Sequence, residues 1–343
     1  MPEDKSIFTR AVHAGERGPR PDYTPVSTPV HYSVGYLYDD MADLDGVFGG
    51  ERSGFVYPRY GSPTVSAFEQ AVADLEGGED AVAFASGMGA VHAALLGAGV
   101  CAGTSVVAAA DLYGATYALL ERALTALGVR VRFLDITDLD LVSRAVAEER
   151  PVAVLCEIIS NPLMKVADVP ALAGIAHSAG AALIVDSTFA SPYLFRPLDH
   201  GADYAVHSAT KYLAGHGDVM AGVVACNAGR ALDLRERQKL LGANLGPQQA
   251  WLALRGIKTL PLRMYQHCAN AQIVAEWLVG HPAISRVHYP GLPGHPQQSI
   301  AARLFDGRGF GGMLSFDLRD AGQAEVFRFM EALELVLPAT TLG

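Results

Sequence analysis

With 343 residues, half of them hydrophobic, the chain can bury a large core and is expected to form one big α/β domain with a smaller companion. Its 26 basic and 36 acidic side chains leave a net charge of −10, which argues against nucleic acid or an anionic membrane as partner. Met1-Pro2-Glu3-Asp4-Lys5 has no apolar signal core, and no apolar stretch is long and unbroken enough to span a bilayer, so a cytoplasmic protein is expected. Cys101, Cys156, Cys226 and Cys268 lie far apart without a Cys-x-x-Cys pair, and read as reduced, mostly buried thiols rather than a disulfide frame or a zinc site.

In chain order, the glycine- and aromatic-rich stretch over 32–55 reads on its own as a loop. Phe68, Val72 and Leu75 recur at helical spacing until Gly77-Gly78, and Leu120, Ala123, Leu124 and Leu127 do so before Gly128. Short apolar runs at 81–84, 105–109, 129–133, 152–156, 181–185 and 204–207 predict strands. Several are apolar throughout and separated by helix-length segments, the pattern of a largely parallel sheet covered on both faces. A smaller domain is expected from Gly246-Pro247. It opens on one long helix over 248–263 carrying Ala250, Leu252, Leu254 and Leu260, with Pro247 suited to an early helical position. His267, His281, His288 and His295 share no ligand spacing with carboxylates, so no metal site is expected.

Sheets of this kind bind ligands at the carboxyl ends of their strands, and the residues with chemistry fall there. Gly87, Met88 and Gly89 follow the first strand and open a helix through Val91, Ala94 and Leu95. Backbone N–H groups at such a start can hold a phosphate, although the same glycines also serve a plain steric turn. Asp186 ends the strand 181–185. It is either a helix cap or, given a cation opposite, the carboxylate that keeps a pyridine nitrogen protonated. Lys211 stands in the run His207-Ser208-Ala209-Thr210-Lys211-Tyr212-Leu213-Ala214-Gly215-His216-Gly217-Asp218, just past an apolar strand. A lysine amine is nucleophilic only when deprotonated, so partial burial and small neighbours suit a Schiff-base lysine; a loop lysine among ordinary caps is the alternative.

The ordered set of motifs goes further. Thr9-Arg10-Ala11-Val12-His13-Ala14-Gly15, Tyr57-Pro58-Arg59-Tyr60-Gly61-Ser62-Pro63-Thr64, Ala85-Ser86-Gly87-Met88 and Asp111-Leu112-Tyr113-Gly114 are followed by Ser160-Asn161-Pro162, Asp186-Ser187-Thr188-Phe189, Ser208-Ala209-Thr210-Lys211-Tyr212 and Gly309-Phe310-Gly311-Gly312-Met313. Together they resemble the pyridoxal-phosphate-dependent Cys/Met metabolism family. These are the transsulfuration enzymes, which include cystathionine γ-synthase, cystathionine γ-lyase, methionine γ-lyase and O-acylhomoserine sulfhydrylase. The resemblance implies a fold-type I α/β enzyme with an N-terminal arm over 1–60 reaching the neighbouring subunit, a cofactor domain over 61–245 and a smaller C-terminal α+β domain over 246–343.

It also implies roles for single residues. Lys211 would bear pyridoxal 5'-phosphate as a Schiff base and then shuttle protons. Asp186 would pair with the pyridinium nitrogen, Thr188 would help hold the ring, and Asn161 would hydrogen-bond its phenolic oxygen. Tyr113 would stack on the ring and take part in proton transfer or leaving-group departure. The phosphate would fall to the backbone of Gly87 and Met88, the hydroxyls of Ser208 and Thr210, and Tyr57 with Arg59, whose planar fork suits phosphate oxygens. In the family those last two come from the neighbouring subunit, so dimers complete the sites and pair into a homotetramer.

Some positions depart from the family pattern. Ser62 and Ser187 replace asparagines, and Ile158-Ile159 replaces threonine-proline. Ala118 stands five residues after Tyr113, where enzymes acting on cystathionine carry an arginine for a distal carboxylate, so a neutral distal group is favoured. The same alanine is common in methionine γ-lyase, whose cysteine two residues after the tyrosine is Ala115 here. The chain ends at Pro338-Ala339-Thr340-Thr341-Leu342-Gly343, matching a family Ser-Leu-Gly substrate segment in which Thr341 replaces serine. Relatives continue past it and supply an arginine for the substrate α-carboxylate, so a fragment with a truncated small domain is expected. The expected activity is γ-elimination or γ-replacement on a sulfur-containing or O-acylated amino acid, methionine γ-lyase-like. O-acylhomoserine sulfhydrylase, cystathionine γ-synthase or γ-lyase chemistry, and a noncatalytic cofactor-binding subunit, are the alternatives.

Overall fold

The computed structural model describes residues 23–343; the motif Thr9 to Gly15 and the start of the arm lie outside the described residues. Between residues 80 and 226 the chain builds a seven-stranded sheet: β1 (Asp80–Phe84), β2 (Ser105–Ala109), β3 (Arg130–Leu134), β4 (Ala153–Glu157), β5 (Ala182–Asp186), β6 (Tyr204–Ser208) and β7 (Gly222–Cys226), in the order β1-β7-β6-β5-β4-β2-β3. Neighbours from β6 to β3 are parallel, whereas β7 runs antiparallel to both β6 and β1. Six of the seven strands therefore point one way. The six strands expected from the sequence form within about a residue of their predicted bounds. β7 was not expected, because it follows the Lys211 turn with no helix-length segment between.

The sheet lies among helices. Helix Gly87–Gly97 packs against β6, β7 and helix Ala228–Leu241, while Leu139–Glu149 pairs with Val169–Ser178 and Pro63–Glu76 lies on β1 and β7. Helix Pro63–Glu76 stops where expected, at Gly77 with φ 70°. The helix expected before Gly128 is present as Gly114–Ala118 followed by a widened π-helical stretch, Leu119–Leu124. β1 is an edge strand, and side chains cover its open side. Glu69 Oε1 accepts from the Ala83 N–H at 2.8 Å, Arg235 Nη2 donates to the Ala81 carbonyl at 2.8 Å, and Gln238 donates to the Ala83 carbonyl. Arg235 also pairs with Glu69 at 2.9 Å and Asp80 at 2.8 Å. An edge so occupied offers no template for another strand.

Two expectations from the sequence need correction. The stretch over 32–55 is not all loop: Met41–Phe48 is helical, started by Asp40, whose carboxylate accepts from the Ala42 N–H at 2.8 Å. The long helix expected over 248–263 is two helices, Pro247–Ile257 and Leu260–Val279. Pro261 sits in the first turn of the second, where its missing N–H and fixed φ are tolerated and where it cannot continue the first. Beyond them β8 (Ile284–His288) and β9 (Ser315–Leu318) form a small antiparallel sheet. Ala271, Ala275, Tyr289 and Leu292 make a core of their own beside it. Among the described residues no group of histidines, cysteines and carboxylates could hold a metal, and no helix is long and apolar enough to cross a membrane.

Candidate active site

The strand ends converge on one cavity of about 470 Å³, within the size range of small-molecule sites. Past β1 the chain turns at Ser86, whose hydroxyl caps the next helix by accepting from the Gly89 N–H at 3.1 Å. That leaves the N–H groups of Gly87 and Met88, at the first two helical positions, outside the helical ladder and available to an anion. Gly87 must be glycine because of what faces it: a Cβ there would lie 2.8 Å from the Cβ of Ser208 at the end of β6. Thr188 ties the two strand ends, its Oγ1 accepting from the Ser208 N–H at 2.8 Å.

At the centre, β4 and β5 end on two carboxyl groups in register, Glu157 beside Asp186. Asp186 accepts from the Thr188 N–H at 2.9 Å. Glu157 accepts from the Tyr113 N–H at 2.6 Å with one oxygen and from the Asn161 N–H at 3.0 Å with the other. Burial pushes both carboxyls up, Glu157 to about 8 with the Asp186 charge adding to the rise. Neither has an ion-pair partner among the described residues. Tyr113 stands at the rim, 52% exposed. Its helix is braced by Tyr117, stacked on Phe133 with centroids 4.2 Å apart.

Lys211 reaches in from the turn after β6, and its Nζ donates to Thr341 Oγ1 at 2.9 Å. Burial lowers its pKa from the ordinary lysine value. The turn is gripped from outside. Arg263 donates to the carbonyls of Tyr212 at 2.8 Å and Gly256 at 3.0 Å, and a Cβ on Gly256 would overlap the Ala214 carbonyl oxygen. Thr210 Oγ1 accepts from the Ala221 N–H at 3.0 Å, fastening the same turn to the residue before β7.

Gly87, Met88, Tyr113, Asn161, Asp186, Thr188, Ser208, Thr210, Lys211 and Thr341, all singled out from the sequence, line this cavity. Tyr57 and Arg59 do not. Arg59 donates to the Lys239 carbonyl at 3.0 Å and lies over the rings of Tyr57 and Tyr60. Glu157 and Arg263 escaped sequence reasoning. Glu157 could have been noticed as the charged end of an otherwise apolar strand, whereas the partners of Arg263 are backbone carbonyls, which no residue pattern announces.

The cavity suits pyridoxal phosphate on this chain's own evidence. Two buried carboxyls with no ion-pair partner among the described residues leave a place for a positive charge beside Asp186, which a pyridinium nitrogen would supply. A helix start with free N–H groups accepts a phosphate, and a lysine of lowered pKa stands nearby. Fold and site together define a fold-type I pyridoxal-phosphate enzyme. Residues 8–343 match the Cys/Met metabolism PLP-dependent enzyme family. The chain is 41% identical to a cystathionine beta-lyase of Lactococcus lactis subsp. cremoris, across 98% of this chain and 85% of the relative. It is 40% identical to an L-methionine gamma-lyase of Pseudomonas putida, across 98% and 83%. A cystathionine gamma synthase structure from Xanthomonas oryzae pv. oryzae superposes with a TM-score of 0.87 at 35% identity, covering 94% of this chain and 81% of that one. The chain belongs to the Cys/Met metabolism family of PLP-dependent enzymes, and it is a PLP-dependent lyase or transsulfuration enzyme.

Proposed function

We propose that this enzyme removes an uncharged thioether substituent from the γ-carbon of its amino acid, splitting methionine with water into methanethiol, ammonia and a 2-oxo acid. The observation that carries this reading is the cavity wall. Among the described residues lining it, Lys211 is the one basic side chain, and Val91, Ile159, Phe189, Met220 and Met313 give it an apolar flank. A substrate with a distal carboxylate would bury that charge without a partner, at a cost of several kcal/mol. A methylthio group loses nothing there and gains apolar contact.

Pyridoxal phosphate, when bound, supplies an electron sink for negative charge at the α-carbon. The remaining work falls to the chain. Lys211 Nζ, brought toward its neutral form by burial, takes the α-proton and returns it further along the side chain. Thr341 holds that amine at rest. Tyr113 carries a phenolic O–H at the rim that can protonate the departing thiolate. Asp186 would face the ring nitrogen with Thr188 beside it, and Asn161 would offer a donor to the phenolic oxygen. Gly87, Met88, Ser208 and Thr210 would hold the phosphate end. Because no basic side chain other than Lys211 joins them among the described residues, Arg59 with Tyr57 is assigned to the site of a second copy. The exposed Val34, Leu37, Met41 and Phe48 on the same arm suit such a contact.

Incubating the PLP-loaded chain with L-methionine, with cystathionine, and with O-acetylhomoserine plus sulfide tests the substrate. Methionine is expected to give thiol and 2-oxo acid faster than cystathionine gives either product. Turnover of cystathionine with no thiol from methionine would reject the reading.

A further inference from the structure

Tyr113 and Asn161 lie on different segments, yet two contacts bind those segments together. The first is Glu157. Its carboxylate is buried and both its oxygens are taken by backbone, the Tyr113 N–H at 2.6 Å and the Asn161 N–H at 3.0 Å. The second is Lys165, whose Nζ lies 3.1 Å from Asp111 Oδ2 and 2.9 Å from Asp135 Oδ2. Lys165 belongs to the Asn161 segment: its carbonyl accepts from the Ser160 N–H at 2.9 Å, and Ile159 bridges Val166. Asp111 stands two residues before Tyr113 and is continuous with β2, while Ala110 N–H reaches the Leu134 carbonyl at 2.8 Å. The Tyr113 hydroxyl has no hydrogen bond among the described residues, and the residue is half exposed. Its ring is therefore placed through its backbone, and Glu157 holds that backbone.

We infer that Glu157 and Lys165 are positioning residues that lock the Tyr113 and Asn161 segments into one unit against the cofactor ring. Glu157 ties the two backbones directly, and Lys165 ties the same segments one step further out through Asp111. With a pyridinium beside Asp186 favouring the ionised form of the pair, a carboxylate is the side chain that does this: two acceptor oxygens meet two N–H donors, whereas an amide of the same shape presents a donor to one of them. Lys165 is a partly exposed ion-pair cation, so its share is smaller than that of Glu157. The inference rests on PLP as the cofactor and not on which amino acid is the substrate.

The test uses the full chain with pyridoxal phosphate and no substrate, so an error about methionine leaves it untouched. Glu157→Gln and Lys165→Met are compared with the parent by the Kd for PLP, the visible circular dichroism of the bound cofactor, and the Tm of the apo-protein. Glu157→Gln is expected to raise the Kd about tenfold to a hundredfold, as loss of a buried bond to a charged acceptor does. It should also weaken or shift the visible dichroism, which reports how the ring is held and which a merely structural role would not move. Lys165→Met is expected to raise the Kd roughly twofold to fivefold, and the double variant to fall short of the product of the two effects because both act on the same segments. Parent-like Kd and dichroism in Glu157→Gln would overturn the inference. If that variant does not fold, Lys165→Met decides, and parent-like values in it overturn the inference equally.

Discussion

Glu157 and Asp186 end neighbouring strands with their carboxyls side by side, and that juxtaposition has a measurable consequence at the scale of single residues. In the apo-protein burial pushes Glu157 from an ordinary 4.5 to about 8 and raises Asp186 as well. Between about 4.5 and about 8 the folded chain therefore holds a proton that the unfolded chain has released, so stability falls as pH rises through that window. On the proposed assignment, a pyridinium nitrogen beside Asp186 would supply a positive charge to the pair. Scanning calorimetry should find the Tm of the apo-protein dropping by about 5 °C or more from pH 5 to pH 8, with a flatter profile in the PLP-loaded protein and in apo Glu157→Gln. Identical slopes for all three would contradict this account of the pair. Most of the site was legible at this scale, since Lys211, Asp186, Asn161 and Ser208 stand in ordered motifs. Glu157 was not legible as a clamp, because its partners are backbone N–H groups that meet only after β2 and β4 are laid side by side.

At the scale of elements, legibility followed periodicity. The strands β1 to β6 and the helix ending at Gly77 announce themselves by apolar spacing and a glycine stop. β7 and the break between Ile257 and Leu260 do not, because the first depends on the Lys211 turn doubling back and the second on Pro261 competing with an unbroken apolar period. The edge of β1 shows the same limit. Arg235, Glu69 and Asp80 lie 166 residues apart at their extreme, so nothing local links them, yet the Glu69 side chain is only 4% exposed and depends on Arg235 for its charge partner. Burial already raises its pKa against the pull of that guanidinium. Arg235→Met leaves a buried carboxyl unpaired and the Ala81 carbonyl without its donor. Breaking a buried pair in this way costs about 3 to 5 kcal/mol, which should appear as a lower urea midpoint at unchanged slope. A midpoint within error of the parent would remove the network from the account of the fold.

For the whole molecule, the proposed assignment of Tyr57 and Arg59 to the site of a second copy has a direct test. The cavity gathers ten of the twelve side chains and backbone groups singled out from the sequence, and the two it omits, Tyr57 and Arg59, sit with the exposed apolar arm. If they act in trans, Arg59→Ala and Lys211→Ala should each be inactive alone. Mixed by co-refolding, they should recover about a quarter of parent activity, since half the dimers are mixed and each such dimer has one intact site. No recovery in demonstrably mixed dimers would place Arg59 elsewhere. The central claim is narrower: Lys211 is where the cofactor joins the chain. Borohydride reduction of the PLP-loaded protein, followed by digestion and mass spectrometry, tests it most directly. The account predicts a pyridoxyl group on the peptide containing Lys211 and none after Lys211→Ala; a reduced adduct on any other lysine, surviving that substitution, would contradict it.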